Sequence, residues 1–150
     1  MPAIVVIAHL PLASALVHSA RHVSSRDPRR ERWRLQALDV EPDADPVATE
    51  ERARSLVAQL DDGTGTLVLT DALGATPANV AARLVDPGRV EVVAGANLPM
   101  LLRALSYADE PLPALVDRAV AGGIRGVAPI ARAPIPNRQH GAKDDDLARV

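Results

Sequence analysis

The stretch GTLVLTDALGATPANVAARL, Gly65 to Leu84, decides the fold. Thr66 to Thr70, reading TLVLT, is a strand. Thr76-Pro77 is a helix start, with Thr as the N-cap and Pro in the first turn, and Ala78 to Leu84 continues as helix. Between them, Asp71-Ala72-Leu73-Gly74-Ala75-Thr76-Pro77 is a loop that delivers the chain into a helix N-terminus. The unit is strand, loop, helix.

The same unit recurs on both sides. Upstream, Ala3 to Ala8 reads AIVVIA, short, apolar throughout and rich in β-branched residues. That suits a strand buried on both faces of a parallel sheet. Pro11 to Val23 follows as a helix, with a stripe of Ala13, Leu16, Val17, Ala20 and Val23 at helical spacing. Arg26 to Arg34 is a charged loop, and Trp33 to Val40 alternates as a second strand. Asp45-Pro46 is another N-cap and Pro pair. The stripe Ala53, Leu56, Val57, Leu60 carries that helix to Asp61-Asp62-Gly63. Downstream, Asp86-Pro87-Gly88 is a turn and Val90 to Ala94 a fourth strand. Leu98 to Leu105 is a short helix. Pro113 to Ala121 is another, stopped by Gly122-Gly123, and Ile124 to Val127 is a last short strand. Strands alternating with helices predict a three-layer α/β domain: a mainly parallel sheet with helices on both faces. The domain covers residues 1–128. Residues 129–150 have no periodicity and read as a mobile tail or linker stub.

Composition narrows the function. At 150 residues the chain suits one domain, and 47% hydrophobic residues supply a core. The net charge of −2 argues against nucleic acid, as do one Trp, one Tyr and no Phe, which leave no stacking platform. With no Cys, disulfides, thiolate zinc sites and thiol nucleophiles are excluded, and a reducing cytoplasm is the simplest compartment. The apolar run Ile4 to Ile7 is too short to span a membrane and reads as no signal peptide.

In open α/β sheets, sites form beyond the carboxyl ends of the strands. His9 ends the first strand, Asp71 the third, and Asn97 follows the fourth. If the first and third strands are neighbours, His9 and Asp71 meet. A carboxylate on one imidazole nitrogen fixes the tautomer and aims the other nitrogen as a nucleophile. The helix start at Thr76 offers free N–H groups and a positive dipole end, which suit a phosphoryl group. Taken singly, each residue has an ordinary reading: an incidental His, a turn-capping Asp, a common helix start. Their joint placement points to a phosphohistidine carrier.

The residues resemble a known family. Asp71, Gly74, Thr76, Pro77 and Asn79 match the D-x-x-G-G-[ST]-P-x-N signature of the mannose-type enzyme IIA of bacterial phosphotransferase systems, with Ala75 in place of the second Gly. Gly95, Asn97, Leu98, Pro99 and Met100 match its G-x-N-[LI]-P-M-L loop. The opening IVVIAHLPLASAL matches in layout, with Leu10 where Gly usually follows the histidine. The resemblance implies that His9 takes a phosphoryl group from the histidine phosphocarrier protein and passes it to a IIB protein. It implies Nε2 as the attacking atom, Asp71 on Nδ1–H, and Thr76, Gly74 and Ala75 around the phosphate. Asn97 and Pro99 support the loop. It implies a homodimer in which the last strand, here Ile124 to Val127, crosses to the partner's sheet. No metal or organic cofactor is implied, and the membrane is reached only through a permease complex.

Other features compete. His18 and His22 lie four apart on a helix, but no H-E-x-x-H motif accompanies them and a solvated face is the expectation. The Arg26–Arg34 loop is diluted by Asp27 and Glu31 and is read as solvated. His140 has no predicted partners, and Asp144 to Asp146 is read as exposed. With no IIB sequence following, the expectation is a separate IIB protein, or a regulatory module whose contacts depend on His9 phosphorylation. No G-x-G-x-x-G or Walker loop supports a nucleotide-binding domain.

Overall fold

A computed structural model describes residues 1–132. The elements are β1 (Ala3–His9), α1 (Leu12–Val23), β2 (Leu35–Val40), α2 (Pro46–Leu60), β3 (Thr66–Thr70), α3 (Thr76–Ala82), β4 (Val90–Ala94), α4 (Leu98–Ser106) and α5 (Leu112–Arg125). The readings of His140 and of Asp144 to Asp146 lie outside the described residues, as does the tail reading beyond Arg132.

Four strands form one wholly parallel sheet in the order β2-β1-β3-β4. The alternation of side chains along each strand builds two cores. Ile4, Val6, Leu67 and Leu69 face α1, α4 and α5. Val5, Ile7, Val68 and Leu38 face α2 and α3. Every residue from Ala3 to Ala8 is buried, because β1 is central and covered on both faces. Helices therefore lie on both faces of a mainly parallel sheet, as expected.

The local signals hold well. Asp45 caps α2 by accepting the Ala48 N–H at 3.1 Å. The Ala53, Leu56, Val57, Leu60 stripe packs into the second core. In α1, Ala13 and Ala20 are buried, whereas Val23 is exposed at the helix end.

Three expectations fail. The N-cap of α3 is Ala75, not Thr76, and no side chain caps this helix. Gly122-Gly123 does not stop α5, which runs on to Arg125. The segment Ile124 to Val127 is consequently not a strand: Ile124 and Arg125 complete the helix, and no strand follows it among the described residues. The reason is packing. A Cβ on Gly122 would lie 2.4 Å from the Arg103 Cβ, and one on Gly126 would lie 2.3 Å from the Pro99 Cβ. The glycines let α4 and α5 touch, and that contact outweighs the propensity cost of about 1 kcal/mol per glycine.

Candidate functional site

The sheet order places the topological switch point between β1 and β3, since β2 extends one way from β1 and β4 the other way from β3. In open α/β sheets, ligands bind at this point outside the carboxyl ends of the strands. His9 closes β1 and Asp71 follows β3, so both stand at that edge.

Asp71 is engaged on three sides. Its Oδ2 accepts the His9 main-chain N–H at 2.9 Å and lies 2.7 Å from His9 Nδ1. Its Oδ1 accepts the Ala72 N–H at 2.8 Å. Burial pushes the Asp71 carboxyl up, but the His9 amide, the His9 ring and the Ala72 amide together hold it below the usual carboxylate range. The Asp71 side chain is 11% exposed and the His9 side chain 50%. The orienting group is thus covered while the ring meets solvent. With Nδ1 directed at Asp71, Nε2 is the ring nitrogen left to react.

The backbone fixes this pair. The Leu10 N–H bonds the Val40 carbonyl at 3.0 Å, tying the end of β1 to β2. The Gly95 N–H bonds the Asp71 carbonyl at 2.7 Å, tying the other side to β4. Gly74 has φ +85°, a left-handed conformation that disfavours other residues, and it turns the loop into α3. Ala75 has φ −82° and ψ 165°, ordinary extended backbone, so the alanine at this position carries no strain. The Asn79 side chain reaches back to the Gly74 carbonyl at 3.4 Å.

These features have counterparts. Residues 3–120 match the family described as the PTS system fructose IIA component. The chain belongs to this family. It is 35% identical over 101 residues to the PTS system mannose-specific EIIAB component of Escherichia coli K12, covering 65% of this chain but 31% of that protein. The chain thus spans about a third of the length of the curated relatives it matches. Its fold is similar to the phosphotransferase system component EIIA of Streptococcus agalactiae, with a TM-score of 0.75 at 22% identity over 89% of this chain and 100% of that one. It is also similar to the PTS IIA protein associated with the fucose utilization operon of Streptococcus pneumoniae, with a TM-score of 0.73 at 25% identity over 87% and 93% of the two chains.

Within this IIA domain, the other expected residues divide. Thr76 and Gly74 are exposed on the loop and first turn beside Asp71, and Ala75 is half-buried there. Asn97 turns inward: its Oδ1 accepts the Met100 N–H at 2.9 Å, capping α4, and its Nδ2 donates to the Gly123 carbonyl at 3.1 Å. Pro99 packs against Gly126. Both therefore join α4 to α5 at the loop they were expected to support. His18 and His22 are exposed on α1, and no cluster of three or more metal-binding side chains exists among the described residues. The Arg loop is partly structural. Arg29 donates to the Ser106 carbonyl, and Arg34 to the Met1 and Leu60 carbonyls. No described helix is long and apolar enough to cross a membrane.

Sequence reasoning missed Asp39 and Ser14. Asp39 Oδ1 accepts the Ser14 N–H at 3.1 Å, and Oδ2 accepts the Ser14 hydroxyl at 2.5 Å. Only its position near the end of β2, one strand from His9, could have signalled it.

Proposed function

We propose that this IIA domain carries a phosphoryl group on His9 Nε2. The observation that carries the reading is the 2.7 Å contact of Asp71 with Nδ1 on a half-exposed ring at the switch point. The donor is the phosphorylated histidine phosphocarrier protein. Its phosphorus–nitrogen bond breaks as a bond to Nε2 forms, and Asp71 steadies the positive charge arising on the ring. A IIB protein then takes the group by the reverse step. The EIIAB name of the Escherichia coli relative supports an acceptor of that kind.

The phosphoryl oxygens are held at the start of α3, by the amides around Gly74 and Ala75 and by the Thr76 hydroxyl. Helix capping supports this placement. Asp45 caps α2, Asn97 caps α4, and Asp39 binds the first turn of α1. No side chain caps the start of α3, as none caps α5; the Ala75 N–H is taken by the Ala72 carbonyl and Pro77 has none, which leaves the amides of Gly74, Thr76 and Ala78 for an anion.

The chain also forms a homodimer. Support comes from β4, an edge strand, and from the exposed apolar side chains of Ile124, Val127 and Ile130 beyond the α4–α5 contact. Sedimentation at micromolar concentration should give a dimer; a monomer would refute it. The phosphoryl reading is tested by intact-mass measurement after incubation with phosphoenolpyruvate, enzyme I and the histidine phosphocarrier protein. One acid-labile phosphate is expected on wild type and none on His9→Ala. Phosphate retained on that variant would sink the site.

A further inference from the structure

We propose that Asp39 is a positioning residue for His9, acting through the first turn of α1. This rests on the phosphoryl-carrier reading but can be tested apart from it.

His9 is held directly on one side only. Its ring contact is to Asp71, from β3. On the other side stands β2, paired in register with Ala8 opposite Asp39 and His9 opposite Val40. Alternation along β2 sends Leu38 and Val40 into the core under α2 and α3. Asp39 therefore faces the opposite side, where α1 packs. There it takes both polar donors of Ser14, the N–H and the hydroxyl.

Ser14 lies five residues after His9. Between them the chain leaves the sheet and turns into the helix, and of the side chains on the way Leu10 is half exposed and Leu12 more than a third exposed. Little apolar packing holds this corner. Its fastenings are the Leu10 N–H on the Val40 carbonyl, the buried Ala13 and the Asp39–Ser14 pair. The neighbouring strands thus each supply a carboxylate: Asp71 grips His9 itself, and Asp39 grips the turn that follows it. Without Asp39 the corner can shift, and a displacement of about 1 Å at a reacting atom costs up to a hundredfold in rate.

The chemistry predicts which replacement works. An asparagine at position 39 still accepts the Ser14 N–H through its Oδ1. The Ser14 hydroxyl then accepts from the new amide and donates to the Pro11 carbonyl, already 3.1 Å away. Alanine leaves both donors without that partner.

The experiment compares wild type, Asp39→Ala, Asp39→Asn and Ser14→Ala in single-turnover phosphorylation at saturating phosphocarrier protein, below each variant's melting transition. The His9 ring nitrogen resonances are recorded on the unphosphorylated proteins. Asp39→Ala should be slowed about ten- to a hundredfold at saturating donor, with the His9 ring signals moved. Asp39→Asn should stay within about threefold of wild type. Ser14→Ala, an exposed change that keeps the main-chain bond, should be slowed severalfold. Full-rate transfer by Ser14→Ala and by folded Asp39→Ala would overturn the proposal. So would Asp39→Asn as slow as Asp39→Ala, because charge and not hydrogen bonding would then be at work. If wild type takes no phosphate, the carrier reading fails. In that case unmoved ring signals in both Asp39→Ala and Ser14→Ala would separately overturn the role of Asp39.

Discussion

Asp71 holds His9 at two points with one oxygen: Oδ2 lies 2.9 Å from the main-chain nitrogen and 2.7 Å from the ring Nδ1. The main-chain bond fixes where the residue leaves the strand, and the ring bond fixes where the imidazole points. One carboxylate thus couples backbone and side-chain geometry. Its own burial adds to this, since a dry hydrogen bond is stronger than a wet one.

Replacing Asp71 by Asn separates shape from proton acceptance. The amide keeps one acceptor oxygen for groups that Asp71 meets with two, so its NH2 must face either the Ala72 N–H or the His9 N–H and Nδ1. Facing His9, it donates to Nδ1, the ring proton moves to Nε2 and the nucleophile is lost. Phosphoryl acceptance should fall by about a hundredfold or more, with the fold retained by circular dichroism. Wild-type rates in this variant would refute the orienting role.

Asp71 also links stability to pH. Its folded-state pKa lies below the ordinary value of 3.8. A depressed carboxylate contributes stability that is fully present above the unfolded pKa and is lost as pH falls through the folded one. Urea unfolding should therefore show wild type more stable than Asp71→Asn near neutrality. The gap, about 1.5–3 kcal/mol for hydrogen bonds to a charged group, should narrow as pH falls below about 4. A gap undiminished at pH 2 would contradict this assignment.

The α4–α5 contact depends on Gly122. Alanine there would gain helix propensity of about 1 kcal/mol but would drive its Cβ to 2.4 Å from the Arg103 Cβ. Because that atom is the stiff base of its side chain, the backbone must move. Net destabilisation of about 1–3 kcal/mol is expected from overpacking, read as a lowered melting temperature. A more stable Gly122→Ala protein would show that the helices can part without loss.

Leu73 sits on the Asp71 loop with 88% of its surface exposed. Such a side chain contributes little to folding, so Leu73→Ser should change stability by no more than about 0.5 kcal/mol. On the proposed phosphoryl-carrier reading it is a contact for the donor. The concentration of phosphocarrier protein at half-maximal rate should rise severalfold, with little change at saturation. Unaltered dependence on donor would place the docking surface elsewhere.

The sequence alone determined whatever is local or periodic. β3 and β4 were readable because five-residue runs dominated by Val, Leu and Thr and bounded by turns have few alternatives, and the start of α2 because Asp45-Pro46 acts within one turn. The parallel sheet followed from the alternation of strands and helices, whereas the meeting of His9 and Asp71 waited on the order β2-β1-β3-β4, which makes the first and third strands neighbours. Tertiary structure decided what depends on distant partners. Gly122 and Gly123 read locally as a helix stop, yet α4, about twenty residues earlier, makes them a packing surface. Thr76 read as a cap, but the backbone puts Ala75 at that position and leaves the Thr76 side chain out of capping. Asn97 was read as support for its loop, but the groups it binds, the Met100 N–H and the Gly123 carbonyl, were set by how α4 and α5 meet. The Asp39–Ser14 bond joins residues 25 apart and has no local signature at all. Local propensity acts over a few residues, whereas a hydrogen bond or a close helix contact is set by which surfaces the finished sheet brings together.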